Sequence, residues 1–146
     1  MGLGKILSNL QKKSDILVGI FGNGTQATIG AAHEYGTNRA GRGNKTTIPQ
    51  RSFLRKPMMA AKPEIVKQAS MAVKWVINGG DYKVAMNRLG LYAQGVSLDA
   101  FQTSFNKQWT PLKASTIARR TQQSSKPLID TGALRRAVVY KVVYKN

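Results

Sequence analysis

Several stretches of the chain repeat apolar positions at a fixed spacing, and each spacing predicts an element. The clearest is "PEIVKQASMAVKWVINGG" (63–80), where Ile65, Ala69, Ala72 and Val76 line one side and Val66, Val73 and Ile77 widen the stripe. This is the face of an amphipathic helix, with Pro63 suited to its first turn and Gly79-Gly80 ending it. Asp81 can cap a second helix that carries Tyr82, Ala85, Leu89, Tyr92 and Val96 on one face. Gly90 and Gly95 each weaken that helix by about 1 kcal/mol relative to alanine, which predicts a bend or close packing there. The short turn between the two helices predicts that they fold back on each other. At the start, Ile6 and Leu10 in "MGLGKILSNLQKK" predict a short amphipathic helix.

A second kind of pattern predicts strands. "DILVGIF" (15–21) is a continuous apolar, β-branched run, and "TQATIGA" (25–31) is a weaker one. The "GNGT" between them contains Asn23-Gly24, a strong signal for a tight β-hairpin. "AAHEYG" (31–36) reads as one helical turn or an irregular corner closed by Gly36. In the tail "AVVYKVVYK" (137–145), Val138, Tyr140, Val142 and Tyr144 share one face, opposite Lys141 and Lys145 with Val139 and Val143. That is a strand with one buried side.

The remaining stretches lack periodicity. "TNRAGRGNKTTIPQRS" (37–52) is rich in glycine, threonine, asparagine and cations, and predicts a long exposed basic loop of the kind that contacts a partner. Ser115 or Thr116 can start a short helix, and "TQQSSKP" (121–127) reads as a polar linker. Together the elements predict an α+β fold. A small antiparallel sheet packs against a long helix and one or two further helices, all within a single domain spanning 1–146. No internal repeat is present.

Charge changes the picture. The 146 residues hold 23 Lys and Arg against 6 Asp and Glu, a net charge of +17. Such an excess opposes self-association and favours an anionic partner, whether nucleic acid, an acidic protein surface or headgroups. With 42% apolar residues the chain is expected to fold rather than remain disordered. It has no cysteine, which removes disulfides, thiolate catalysis and Cys-bound zinc. No apolar run approaches the ~20 residues of a membrane span, so no membrane partner is expected, and the start does not read as a signal peptide.

Candidate chemistry is sparse. His33 is the sole histidine, and the acids Asp15, Glu34, Glu64, Asp81, Asp99 and Asp130 are scattered. Glu64 and Asp81 stand where helix starts place acids for dipole and capping reasons. His33-Glu34 is the one adjacent acid–base pair, and it reads as structural because nothing supplies the remaining catalytic roles. No phosphate-cradling loop motif occurs, and "GIFGNG" is explained more simply as a hairpin turn. No enzyme, cofactor or metal site is expected. A basic surface could track a phosphate backbone, yet no helix-turn-helix, finger or RNA-binding signature appears. Trp75 and Trp109 read as packing anchors rather than base-stacking platforms.

Three stretches in order resemble a known family. "AAHEYGTNRAGRGNKTTIPQRSFLRKPM" is similar to a His-Glu-aromatic-Gly-Thr corner leading to a Pro-x-Arg-x-Phe-Leu motif, "WTPLKASTIARR" to a Trp-x-Pro-Leu turn before a Ser/Thr-started helix, and "KPLIDTGALRRAV" to a Leu-x-Asp/Glu-Thr-Gly-x-Leu-Arg approach to a final strand. The family is that of tailed-phage virion-morphogenesis proteins, which act in tail completion and head–tail joining at the neck. The resemblance covers residues 31–59 and 109–138, and departs in the long "TNRAGRGNKTT" insertion. It implies a structural virion protein with an α+β fold, no cofactor and no catalysis. It also implies a homo-oligomeric ring, hexameric or dodecameric, at the head–tail junction or tail end. Its neighbours would be the head connector or adaptor and the tail tube or terminator, with non-specific contact to genomic DNA left open. Localisation would be the virion, and the host cytoplasm during assembly. The alternative is a non-specific nucleic-acid-binding protein.

Within that frame, Pro49 and Pro57 bracket "QRSFLRK" as an extended approach to the long helix, with Phe53 and Leu54 inward. Thr131-Gly132 forms a turn in which Asp130 satisfies backbone donors, setting Arg135 and Arg136 at the start of the closing strand. Phe53, Leu54, Trp109, Pro111, Leu112 and Leu134 read as scaffold. The partner or DNA interface candidates are Arg39, Arg42, Lys45, Arg51, Arg55, Arg119, Arg120, Arg135 and Arg136.

Overall fold

A computed structural model describes residues 2–122 and 124–145. The elements run α1 (Leu3–Gln11), β1 (Lys13–Gly19), α2 (Thr25–Tyr35), β2 (Thr37–Ala40), β3 (Thr46–Ile48), α3 (Arg55–Ala60), α4 (Lys62–Ile77), α5 (Tyr82–Lys107), α6 (Ala114–Ala118), α7 (Ala133–Ala137) and β4 (Val139–Lys145). This is the expected mixture of helix and sheet. A small two-stranded antiparallel sheet packs on a long helix, with further helices around it.

The sheet pairs the first strand with the last: β1 and β4 run antiparallel from Lys13 opposite Lys145 to Gly19 opposite Val139. The expected partner of β1, residues 25–31, is instead helix α2. The Asn23-Gly24 turn signal is used to start that helix, with Ala27 N donating to Gly24 O at 3.0 Å. Ala27, Ala31 and Ala32 are helix formers, and Gly30 lets the helix approach the core. A Cβ at Gly30 would lie 2.8 Å from Ile20 Cδ1. With Val139–Lys145 offering a β-branched partner, β1 has no need of a local one. The corner at 31–36 is the end of α2, closed by Gly36 at φ 73°, where only glycine avoids both strain and Gln50 N at 3.0 Å.

The segment 37–52, expected as a loop, contains a separate ribbon of β2 and β3. Its signal was hidden because both faces are polar, so the strands show no alternation. Threonine supplies the β-branching, and Gly41, Gly43 and Asn44 supply the positive-φ turn.

Helix α5 is the spine. Asp81 caps it as expected, its Oδ1 accepting from Val84 N at 2.9 Å. Its side chains reach every neighbour: Ser97 Oγ donates to Phe53 O at 2.7 Å, and Gln94 Nε2 donates to Val138 O at 2.8 Å. Gly90 receives the ring of Tyr140, so the close-packing reading holds there, while Gly95 faces open space. Helix α4 folds back on α5 through Ile65, Ala69, Ala72 and Val76, but Val66, Val73 and Ile77 are exposed rather than part of the packed stripe. At its far end α5 leaves right-handed geometry, with positive φ from Ser104 to Lys107. That reversal swings Trp109 back, its amide donating to Ser104 O at 3.3 Å. Among the described residues no helix is long and apolar enough to cross a membrane.

The core gathers Phe53, Ala100, Phe101, Trp109, Leu128, Leu134 and Val138. Phe53 and Phe101 are fully buried with ring centroids 5.0 Å apart, and Trp109 meets Phe101 edge-on at 6.0 Å. Each buried aromatic contributes about 2–3 kcal/mol of apolar burial. The scaffold roles of Phe53, Leu54, Trp109 and Leu134 are those expected, whereas Pro111 is exposed. Trp75 is only partly covered, under the guanidinium of Arg88.

Candidate functional site

The first motif is organised by Glu34, a carboxylate 5% exposed in the last turn of α2. The approach to α3 brings Ser52 Oγ to 2.7 Å and the amides of Phe53, Leu54 and Arg55 to 2.9–3.0 Å of its two oxygens. The first amides of a helix lack intrahelical acceptors, and here an acid from another helix supplies them. Ser52 extends the arrangement, accepting from Lys56 N at 3.0 Å. Pro57 therefore lies inside α3, and "QRSFLRK" is not extended to its end: Arg55 and Lys56 are already helical, their helix capped by Glu34. The sequence clue was present, since Glu34 is the sole acid between Asp15 and Glu64, but its acceptor role depends on a contact across the fold.

The His33-Glu34 pair is thus divided. Glu34 faces α3, while His33 sits with Arg51 and Arg120. Burial, then the two guanidinium charges, lower the His33 pKa from 6.5 to about 4, so the imidazole is neutral at pH 7. His33 and Arg120 line a cleft of about 210 Å³ together with Asp130. In it His33 Nδ1 and Asp130 Oδ1 are buried without a hydrogen-bond partner among the described residues. The expected role of Asp130 in the Thr131-Gly132 turn falls to Thr131, whose Oγ1 accepts from Ala133 N at 3.3 Å. Among the described residues no group of three or more histidines and acids could hold a metal ion.

The interface candidates separate into two sets. Arg51 is a structural residue rather than a surface one. It is 5% exposed, its Nε donates to Thr110 O at 3.0 Å, and its own amide donates to His33 O at 2.7 Å. Burial and the neighbouring Arg120 lower its pKa below the usual arginine value. Arg120 is likewise internal: its Nη1 lies 2.9, 2.7 and 2.9 Å from the carbonyls of Ser124, Lys126 and Ile129. That contact ties Ser124 and Lys126 of the expected polar linker 121–127 back to the end of α6; Gln123 of that linker lies outside the described residues. Arg135 is half-buried with Nε unpartnered among the described residues. Arg135 and Arg136 end α7 rather than begin β4, because Gly132 at φ 76° starts a helical turn instead of the strand.

The second set faces outward. Arg39, Arg42 and Lys45 stand exposed on the β2–β3 ribbon, and Arg119 and Arg136 are exposed elsewhere. Arg55 is half-exposed, 3.7 Å from Glu34, with its guanidinium 5.0 Å over the Tyr35 ring. Tyr35, 65% exposed at the foot of the ribbon, is the aromatic of the His-Glu-aromatic-Gly-Thr corner. No family model, curated protein or solved structure matches the chain.

Proposed function

We propose that the chain is a structural protein of a tailed-phage virion, acting in tail completion or head–tail joining. The observation that supports the reading is the meeting of the three motif stretches in one knot. Glu34 and Phe53 come from the first, and Trp109 from the second, its Nε1 donating to Ser52 O at 3.2 Å. Leu128 and Leu134 come from the third and share the core with Phe53. Residues that carry a resemblance and are far apart in sequence form one scaffold, whose cationic surface is left for neighbours.

In this reading the protein works through surfaces, without a catalytic step or cofactor. It assembles as a ring between the head connector and the tail, in the virion or, before that, in the host cytoplasm. The +17 charge opposes ring closure in isolation, so the free protein is monomeric or weakly associated at low salt and assembles on its partner. Electron microscopy of particles made without the protein tests the proposal. Unjoined heads and tails are the expected result, and complete joined particles overturn it.

A further inference from the structure

We propose that the β2–β3 ribbon is a phosphate-contacting arm for duplex nucleic acid. The inference goes beyond the virion reading and does not depend on it. The arm's composition selects the partner. Between Thr37 and Ile48 its exposed positions are Asn38, Arg39, Gly41, Arg42, Gly43, Asn44, Lys45, Thr46 and Thr47. Protein-docking surfaces centre on aromatic residues together with arginine in a desolvated core, and these exposed positions supply arginine without any aromatic. Arginine, lysine, asparagine and threonine are the side chains that contact phosphate and sugar. From Tyr35 through Pro63 the chain has no acid to neutralise them.

The arm is exposed at Asn38, Arg39 and from Gly41 to Thr47, and fixed at its foot. Gly36 packs against Gln50, and Gln50 Nε2 donates to Glu34 O at 3.1 Å. Arg55 continues the positive surface there, held by Glu34 through its amide at 3.0 Å and its Nε at 3.7 Å. Arg39 stands on β2, and Arg42 and Lys45 stand on the turn that joins it to β3; a two-stranded ribbon, its strands about 4.8 Å apart, is narrow enough for a major groove about 12 Å wide. Single-strand sites interleave stacking aromatics with charge. The arm has none beyond Tyr35 at its foot, one face of which is covered by Arg55. The geometry therefore favours the duplex.

The test is fluorescence anisotropy of the full-length protein with a labelled duplex across a salt series. Two triple variants lower the net charge equally: Arg39→Gln, Arg42→Gln and Lys45→Gln on the arm, and Lys5→Gln, Lys67→Gln and Lys74→Gln on exposed positions of α1 and α4. The arm variant is expected to bind about tenfold more weakly, with a log–log salt slope shallower by about 2.7. The control should change by less than about threefold. Arg39→Lys with Arg42→Lys should retain binding, since ammonium also contacts phosphate. Equal losses in the two triple variants, absence of duplex binding by the wild type, preference for single strands, or equal binding to polyglutamate each overturn the proposal.

Discussion

The carboxylate of Glu34 accepts a hydrogen bond from the backbone amide of Phe53 at 2.9 Å, joining the end of α2 to a fully buried aromatic of the core. The same carboxylate accepts the amide of Arg55, whose guanidinium lies above the ring of Tyr35, so one acid sets both an inner and an outer feature. Glu34→Gln would turn an amide donor toward a cluster of donors. We expect a loss of about 3 kcal/mol, because buried donors lose a charged acceptor. Urea unfolding of the variant measures it, and a loss below about 1 kcal/mol would show the cap to be dispensable.

Arg120 holds the carbonyls of Ser124, Lys126 and Ile129 through one nitrogen. Arg120→Met keeps much of the side chain's bulk and removes that donor. The expected outcome is a loss of about 2 kcal/mol and faster amide exchange over residues 124–129, with the middle of α5 unchanged. Arg120→Lys should recover part of the loss, since an ammonium brings three donors to one point but on a shorter stem. Unchanged exchange in this segment contradicts the role.

The elements most legible in the sequence were those whose own pattern matched their environment. Helix α4, the start of α5 and β4 each carry a periodic face that is at least partly covered, so spacing located them, although Tyr144 near the end of β4 stays exposed; Asp81 was legible as the cap of α5. The β1 hairpin failed because Asn23-Gly24 encodes a break and leaves the type of the next element open. The choice between strand and helix at 25–35 is made by a strand more than a hundred residues away. The ribbon was invisible because a two-sided polar strand has no alternation. Of the candidate cations, Arg39, Arg42 and Lys45 were legible as a surface because glycine and threonine surround them. Arg51 and Arg120 were not, since an arginine that binds carbonyls looks the same in sequence as one that faces solvent.

Gly90 and Gly95 look equivalent in sequence and differ in the fold. A Cβ at Gly90 would lie 2.3 Å from Tyr140 Cδ2, while one at Gly95 meets nothing within 4 Å. Gly95→Ala should therefore stabilise the protein by up to about 1 kcal/mol through helix propensity. Gly90→Ala should destabilise it by about 1–3 kcal/mol despite the same propensity gain. Thermal unfolding of the two variants gives opposite signs, and adding Tyr140→Val to Gly90→Ala should recover part of the loss. Equal shifts in both single variants would show that Tyr140 does not pack on Gly90.

His33 makes stability depend on acidity. Its pKa is about 4 when folded against 6.5 as a free side chain, held down by burial and by Arg51 and Arg120. Above about pH 6.5 the ring is neutral in both states and contributes no slope. Between 6.5 and 4 the unfolded chain takes up a proton that the folded protein refuses, so stability falls as the pH drops. Below about 4 both states are protonated and the loss is complete. Allowing for solvent that reaches part of the ring, the loss amounts to about 2 kcal/mol. The comparison is with His33→Gln, which keeps every carboxylate of the chain and removes only the imidazole. Unfolding free energies of the two proteins at pH 7, 6, 5 and 4 should converge as the pH falls if the variant starts less stable, and diverge if it starts as stable or more so. In either case the wild type should lose about 2 kcal/mol more than the variant over the range. Parallel curves would mean that the imidazole is as free to protonate in the fold as outside it, and that the two guanidinium groups do not act on it.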